Sequence, residues 1–190
     1  MSAVTGLVLA GGQGSRMGGV DKGLQPFRGK SMVAHVIERL APQVGEILIN
    51  ANRNVEAYQA FGHRVVPDSI SGFAGPLAGF ERGLDYASHD LVATVPCDSP
   101  FLPADLVSGL KAALEKASAP LAVAKTGDQA HPVFCLMQRG VHQSLREFLG
   151  SGQRKIDRWY AALKVVEVPC DDEAQAFMNI NTRAELSDAE

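Results

Sequence analysis

Seven short apolar runs, at residues 6–10, 46–50, 63–66, 91–95, 121–124, 133–136 and 164–168, set the strongest limit on how this chain folds. Each is rich in β-branched or aliphatic residues and of strand length, so each reads as a buried strand. Between them the apolar residues change period. Val33, Val36, Ile37 and Leu40 fall on one helical face, as do Leu106, Leu110, Ala113 and Leu114, and later Val141, Leu145, Phe148 and Leu149. Strand alternating with helix predicts a three-layer α/β/α arrangement around a mostly parallel sheet. With 190 residues, no internal repeat and no Pro/Gly/Ser-rich linker, a single domain over 1–190 is the simplest account.

Charge and cysteine usage exclude several functions. A formal net charge of −3 offers no chain-wide basic footprint for a nucleic-acid backbone, so a small anion needs a local positive site. The apolar stretches are strand-sized, and residues 1–5 lack the basic and long apolar regions of a secretory signal, which predicts a cytoplasmic protein that does not enter a membrane. Cys97, Cys135 and Cys170 have no Cys-x-x-Cys spacing and read as reduced structural thiols.

Open parallel sheets bind ligands beyond the carboxyl ends of their strands, so the informative residues follow each strand. After the first strand comes Leu9-Ala10-Gly11-Gly12-Gln13-Gly14-Ser15-Arg16-Met17-Gly18-Gly19-Val20-Asp21-Lys22. Glycine lets backbone N–H groups approach an anion closely, and Arg16 and Lys22 add charge-assisted bonds to phosphate oxygens. Two better-known phosphate loops fail on spacing. A G-x-G-x-x-G fingerprint beginning at Gly12 and Gly14 meets Met17 at its third position, and a P-loop ending at Gly29-Lys30-Ser31 needs glycine where Leu24 stands. The bland reading is a surface loop whose glycines only turn the chain.

The run L-A-G-G-x-x-x-R-M-G-x-x-K resembles the signature loop of nucleotidyltransferases that act on sugar phosphates, isoprenoid precursors and molybdopterin. The Gly11-Gly12 pair and the run from Met17 to Gly23 look most like the molybdenum cofactor guanylyltransferases. That resemblance implies a Rossmann-like nucleotidyltransferase fold, with a GTP-binding N-terminal half and an acceptor-binding C-terminal half. It also implies that Leu9, Ala10, Gly11, Gly12 and Lys22 contact the nucleotide, and that Arg16, Lys22 and Asp98 carry the chemistry.

The strand at 91–95 runs into Pro96-Cys97-Asp98-Ser99-Pro100, a carboxylate at a strand end framed by two prolines. Mg²⁺ takes hard oxygen ligands, often one or two carboxylates completed by phosphates and water, so Asp98 is the candidate metal ligand. Its alternative role is to cap the helix that follows near Pro103. The resemblance matches Asp98 to the aspartate this family uses for Mg²⁺ and GTP.

Asn50 and Asp68 end the second and third strands. Guanine offers N–H donors that such oxygens accept, and the resemblance implies that both residues contact the nucleotide. Asn50 closing a turn and Asp68 capping a helix remain open. Gly75, Pro76 and Leu77, in the glycine-dense approach to a helix, match the segment that flanks the base in the family; close helix packing explains the same glycines.

On the acceptor side the resemblance picks out His131, Arg154 with Lys155, and Asn179 with Asn181. Arg154 and Lys155 would meet an acceptor phosphate or form a solvated helix end, an asparagine would add an oxygen near Mg²⁺, and His131 also reads as a core or turn histidine. His35, His63, His89 and His142 share no ligand spacing, and Trp159 reads as packing rather than a pterin platform.

The implied reaction transfers GMP from GTP to the phosphate of molybdenum-molybdopterin, with Mg²⁺ as cofactor and transient contacts to cofactor-biosynthesis proteins or recipient apoenzymes. Two other classes stay open. One is a sibling transferase using CTP or a sugar phosphate; the other is a non-catalytic GTP-binding carrier.

Overall fold

A computed structural model describes residues 3–12, 20–70 and 75–177. Its strands are β1 (Val4–Leu9), β2 (Pro26–Phe27), β3 (Lys30–Ser31), β4 (Glu46–Asn50), β5 (Arg64–Val66), β6 (Leu91–Pro96), β7 (Leu121–Thr126), β8 (Gln129–Gln138) and β9 (Val165–Pro169). The α-helices are α1 (Met32–Leu40), α2 (Val55–Gln59), α3 (Pro76–Tyr86), α4 (Leu106–Ala117), α5 (His142–Gly150) and α6 (Ile156–Tyr160).

Seven strands form one sheet in the order β5-β4-β1-β6-β8-β7-β9. Within it β8 runs antiparallel to both neighbours, and the other pairings are parallel. The apolar runs look continuous because the sheet is covered on both faces, and the two-residue period sorts them. Val8, Ile47, Ile49, Ala93, Val95, Ala122 and Leu136 join one cluster with the apolar faces of α1 and α4. Leu7, Leu48, Val92, Val123, Cys135 and Met137 join the other with α3, α5 and α6. Trp159 is fully buried there and donates its indole N–H to Ser144 Oγ at 3.3 Å, which makes it a packing residue.

The expected layers and all seven runs are present, with one correction. β9 lies at the sheet's edge and is only half-buried, as is much of β5, because an edge strand is covered less completely than a central one.

Chain order fixes where a ligand can sit. β4 and β5 lie on one side of β1, whereas β6 lies on the other. The helical connections diverge at β1, opening a crevice beyond the carboxyl ends of β1 and β6.

Candidate nucleotide and metal site

Four strand ends meet at that crevice. β1 delivers Ala10, Gly11 and Gly12, β4 delivers Asn50 and the polar run behind it, β5 delivers Asp68, and β6 delivers Asp98. The ladder continues past the strand ends, since Ala10 N–H donates to Asn50 O at 2.8 Å and Cys97 N–H donates to Leu9 O at 3.1 Å. Backbone bonding therefore holds the glycine loop's root between the Asn50 and Asp98 segments.

Asp68 is held on both oxygens. Asn50 Nδ2 donates to its Oδ1 and Asn52 Nδ2 to its Oδ2, each at 2.8 Å, while Asp68 N–H donates back to Asn52 Oδ1 at 2.8 Å. Asn50 Nδ2 also donates to Val66 O at 3.0 Å. Asn50 is buried at 3% exposure, so its side chain supports Asp68 from beneath and does not stand at the surface. Neither residue plays the alternative part raised by sequence. Asn50 is the last residue of β4, and the helix after Asp68 has Gly75 at its cap.

Glycine is required where backbone meets this cluster. A Cβ on Gly11 would lie 2.9 Å from both Asn50 Oδ1 and Asn52 Nδ2, and one on Gly79 would lie 2.5 Å from Asn50 Oδ1. Close packing thus accounts for Gly79 in α3. Gly75 and Pro76 are exposed at the helix entrance, but the Leu77 side chain is fully buried in the core. The expectation that Leu77 flanks the base is corrected for its side chain, which anchors α3 against the sheet.

Asp98 is 7% exposed, and Lys22 Nζ donates to its Oδ2 at 3.4 Å. Burial pushes the Asp98 carboxyl up, and the Lys22 ammonium only partly offsets this. It is not a helix cap, because Asp105 occupies the cap position of α4. A buried carboxylate whose ion pair with Lys22 is long fits a hard divalent cation, which would relieve the cost of its charge. Among the described residues there is no cluster of three His, Cys, Asp or Glu groups that could hold a metal, so phosphates and water would complete such a shell. The neighbouring Cys97 is buried, and burial pushes its thiol well up, so it stays protonated.

Sequence reasoning missed the anchors of the loop's far end. Tyr58 OH donates to Asp21 Oδ1 at 2.5 Å and Asn54 Nδ2 donates to Oδ2 at 3.0 Å, fixing the residue before Lys22. Burial, and then the nearby Cys97 and Asp21, push the Tyr58 phenol far up, so it remains a donor. Arg53 Nη2 reaches Gly12 O at 3.2 Å. The available signal was the run Asn50-Ala51-Asn52-Arg53-Asn54, which starts at the last residue of β4, where the strand-end rule looks.

The acceptor-side residues separate. With Thr94 opposite Cys135, residues 129–132 of β8 project past the carboxyl end of β6 and bring His131 to the edge that carries Asp98. His131 stacks on Phe177 at 4.9 Å and pairs with Thr126 Oγ1 at 2.6 Å, and burial pushes its pKa down, so the ring is neutral. Arg154 instead serves the end of α5, its Nη1 donating to Leu149 O at 2.8 Å, on the side of the other cluster. Arg154 thus takes the helix-end role that its sequence also offered, closing α5. A cleft of about 630 Å³ opens there between Ser69, α3 and Arg154. Lys155 is exposed at the start of α6. Arg16, Asn179 and Asn181 lie outside the described residues.

Comparison with known proteins gives this geometry a family. Residues 6–167 match the MobA-like NTP transferase domain. The chain belongs to that family. A molybdenum cofactor guanylyltransferase of Cupriavidus metallidurans is 54% identical over 188 residues, covering 96% of this chain and 92% of the relative. One of Ralstonia nicotianae is 52% identical over 194 residues, covering 97% and 95%. The crystal structure of molybdopterin-guanine dinucleotide biosynthesis protein A from Archaeoglobus fulgidus superposes with a TM-score of 0.82 at 25% identity, covering 98% of this chain and 96% of that one. A fold of the nucleotidyltransferase family and a transferase activity follow from that membership.

Proposed function

We propose that this chain transfers GMP from GTP to the phosphate of molybdenum-bearing molybdopterin, releasing pyrophosphate and forming molybdopterin guanine dinucleotide. The observation that carries the reading is the Lys22–Asp98 pair beside the glycine loop, in a chain that shares about half its residues with molybdenum cofactor guanylyltransferases over nearly its whole length. An acceptor phosphate oxygen forms the new bond to the α-phosphorus of GTP as the bond to the bridging oxygen of pyrophosphate breaks. The acceptor is already anionic, so no protein base is required. Chemistry of this kind needs positioning and charge neutralisation rather than a covalent nucleophile, in keeping with a Cys97 thiol held protonated by burial.

Asp98 is the residue that would hold Mg²⁺, which when bound neutralises charge on the triphosphate. Lys22, Arg16 and the amides of Gly11 and Gly12 receive the phosphates. Asp68 receives the guanine, supported by Asn50, while Leu9, Ala10, Gly75, Pro76 and the backbone of Leu77 wall the nucleotide. The acceptor approaches where β8 passes β6, near His131, with Asn179 and Asn181 assigned to the same task; Lys155 and Arg154 form an outer basic margin. The whole chain acts as one domain, nucleotide-binding in its first half and acceptor-binding in its second.

Among the described residues no helix is long and apolar enough to cross a membrane. A cytoplasmic place of work, and brief contacts with cofactor-biosynthesis proteins or recipient apoenzymes, belong to the same proposal.

The test is pyrophosphate release with GTP or CTP, each offered with molybdenum-molybdopterin and with mannose 1-phosphate. Turnover confined to GTP with molybdopterin supports the assignment. Turnover with CTP alone, or with the sugar phosphate, overturns it, and GTP binding without turnover returns the carrier reading.

A further inference from the structure

The Asp68 carboxylate, at the end of β5, is held by two side chains, Asn50 and Asn52, one on each oxygen. An ionised carboxylate has about four lone-pair sites. One is used on each oxygen, which leaves one on each in the plane that the two asparagines hold. That pattern suits a ligand presenting two adjacent N–H donors, as bidentate carboxylate recognition demands. On guanine, the ring N1–H and the 2-amino group are such a pair. Adenine and cytosine present an acceptor beside their amino group, and uracil has a single N–H between two acceptors.

Asn50 is buried and also tied to Val66 O, so it belongs to the floor of the site. Asn52 is different. It is only half-buried, and its carboxamide joins three things at once: the Asp68 carboxylate and Asp68 N–H, each at 2.8 Å, and the Gly11 carbonyl at 3.4 Å. It therefore ties the end of β5 to the root of the glycine loop. Without it, Asp68 keeps a single side-chain donor on Oδ1 and is free to rotate about its side-chain bonds, which breaks the paired alignment.

We propose that Asn52 is a specificity-determining positioning residue, which locks the Asp68 carboxylate in the plane that reads the two adjacent N–H donors of guanine. This rests on the reading that Asp68 faces the base. Asn52 acts through Asp68 and need not touch the nucleotide.

The test compares GTP with inosine triphosphate, which lacks only the 2-amino group, by titration calorimetry of the full chain with Mg²⁺ present. In the wild type GTP binds more tightly. In Asn52→Ala the ratio of the two dissociation constants falls by about tenfold, the scale of a charge-assisted hydrogen bond that is no longer aligned. In Asn52→Asp, which keeps the shape and the acceptor for Asp68 N–H but sets a second carboxylate against Asp68, the ratio falls at least as far. A thermal melt of each variant accompanies the titration. A purely structural role for Asn52 would weaken both ligands equally and leave the ratio at the wild-type value, which overturns the proposal. Asp68→Asn separates the two ideas. If it abolishes discrimination while both Asn52 variants retain it, the role of Asn52 is wrong and the reading of Asp68 stands. If Asp68→Asn leaves discrimination intact, the reading of Asp68 falls and the proposal falls with it.

Discussion

Replacing Asp98 by asparagine should damage activity and spare stability, an unusual split for a residue only 7% exposed. The buried carboxylate has its pKa raised, so burial costs its ionised form more than Lys22 at 3.4 Å returns. A neutral carboxamide of the same shape removes that cost. Lys22 keeps 20% exposure and turns to water, so it is not left as a stranded charge. The net change in unfolding free energy should then stay within about 1 kcal/mol, the scale of a partly solvated ion pair. The sign with pH follows from the raised folded-state pKa. The cost of ionising Asp98 is present above the unfolded aspartate value and disappears once the group is protonated in both states. Any gain by Asp98→Asn therefore shows near neutral pH and vanishes in acid. Transfer, by contrast, should fall by at least about 10²–10³-fold, comparable to losing one preorganised charge-stabilising group. Urea unfolding at neutral pH and in acid gives the first quantity, and pyrophosphate release from GTP with molybdopterin gives the second. Activity within threefold of wild type, or a loss of several kcal/mol in stability, would refute the reasoning and make Asp98 a structural residue.

Lys22→Ala should lower kcat by about 10²–10³-fold in the same assay, because one fixed cation beside the phosphates is lost. Gly79→Ala places a Cβ 2.5 Å from Asn50 Oδ1 and 2.7 Å from Leu9 Cδ2, so chemical denaturation should show a loss of about 1–3 kcal/mol, and calorimetry a weaker GTP affinity. Glu46→Gln tests the opposite end of the sheet. Burial alone would raise the Glu46 carboxyl, but the Ser88 N–H, with the Thr5 and Ser88 hydroxyls and His89, outweighs it and holds the pKa below the usual glutamate range. Such a group stabilises above its unfolded pKa, and the stabilisation is lost as pH falls through the lower folded value. Glu46→Gln should therefore cost about 1–2 kcal/mol in urea at neutral pH and almost nothing once the carboxyl is protonated.

The sheet was legible because both its faces are buried. The run at 46–50 coincides with β4, and the run at 133–136 marks the apolar centre of β8. The outer part of β8, from Gln129 to Pro132, was not legible, since those residues are strand through pairing with β7 and not through their own apolar pattern. The hairpin of β2 and β3 was missed for another reason. Its two turn residues, Arg28 at φ 45° and Gly29 at φ 81°, both adopt left-handed conformations, and arginine gives no signal of that. The short helices α2 and α6 span five residues each, too few to display a helical period.

At the crevice, the strand-end rule pointed to Asp68 and Asp98 because carboxylates two or three residues after apolar runs stand out. It passed over Asn52, Asp21 and Tyr58. Their importance lies in contacts with Asp68, Gly11 and each other that no local pattern encodes. At Leu77 and Arg154 the sequence carried two readings each, a ligand contact and a packing or helix-end role, and their side chains take the second. One side chain is consumed by the core and the other by a helix end.

The most direct test of the account follows the phosphorus atoms of GTP. With GTP labelled at the α-phosphate, the label should appear in a product that also contains guanine and the pterin. With GTP labelled at the γ-phosphate, all released label should be in pyrophosphate. Label from the γ-position on the acceptor, or its release as inorganic phosphate, would contradict nucleotidyl transfer at this site.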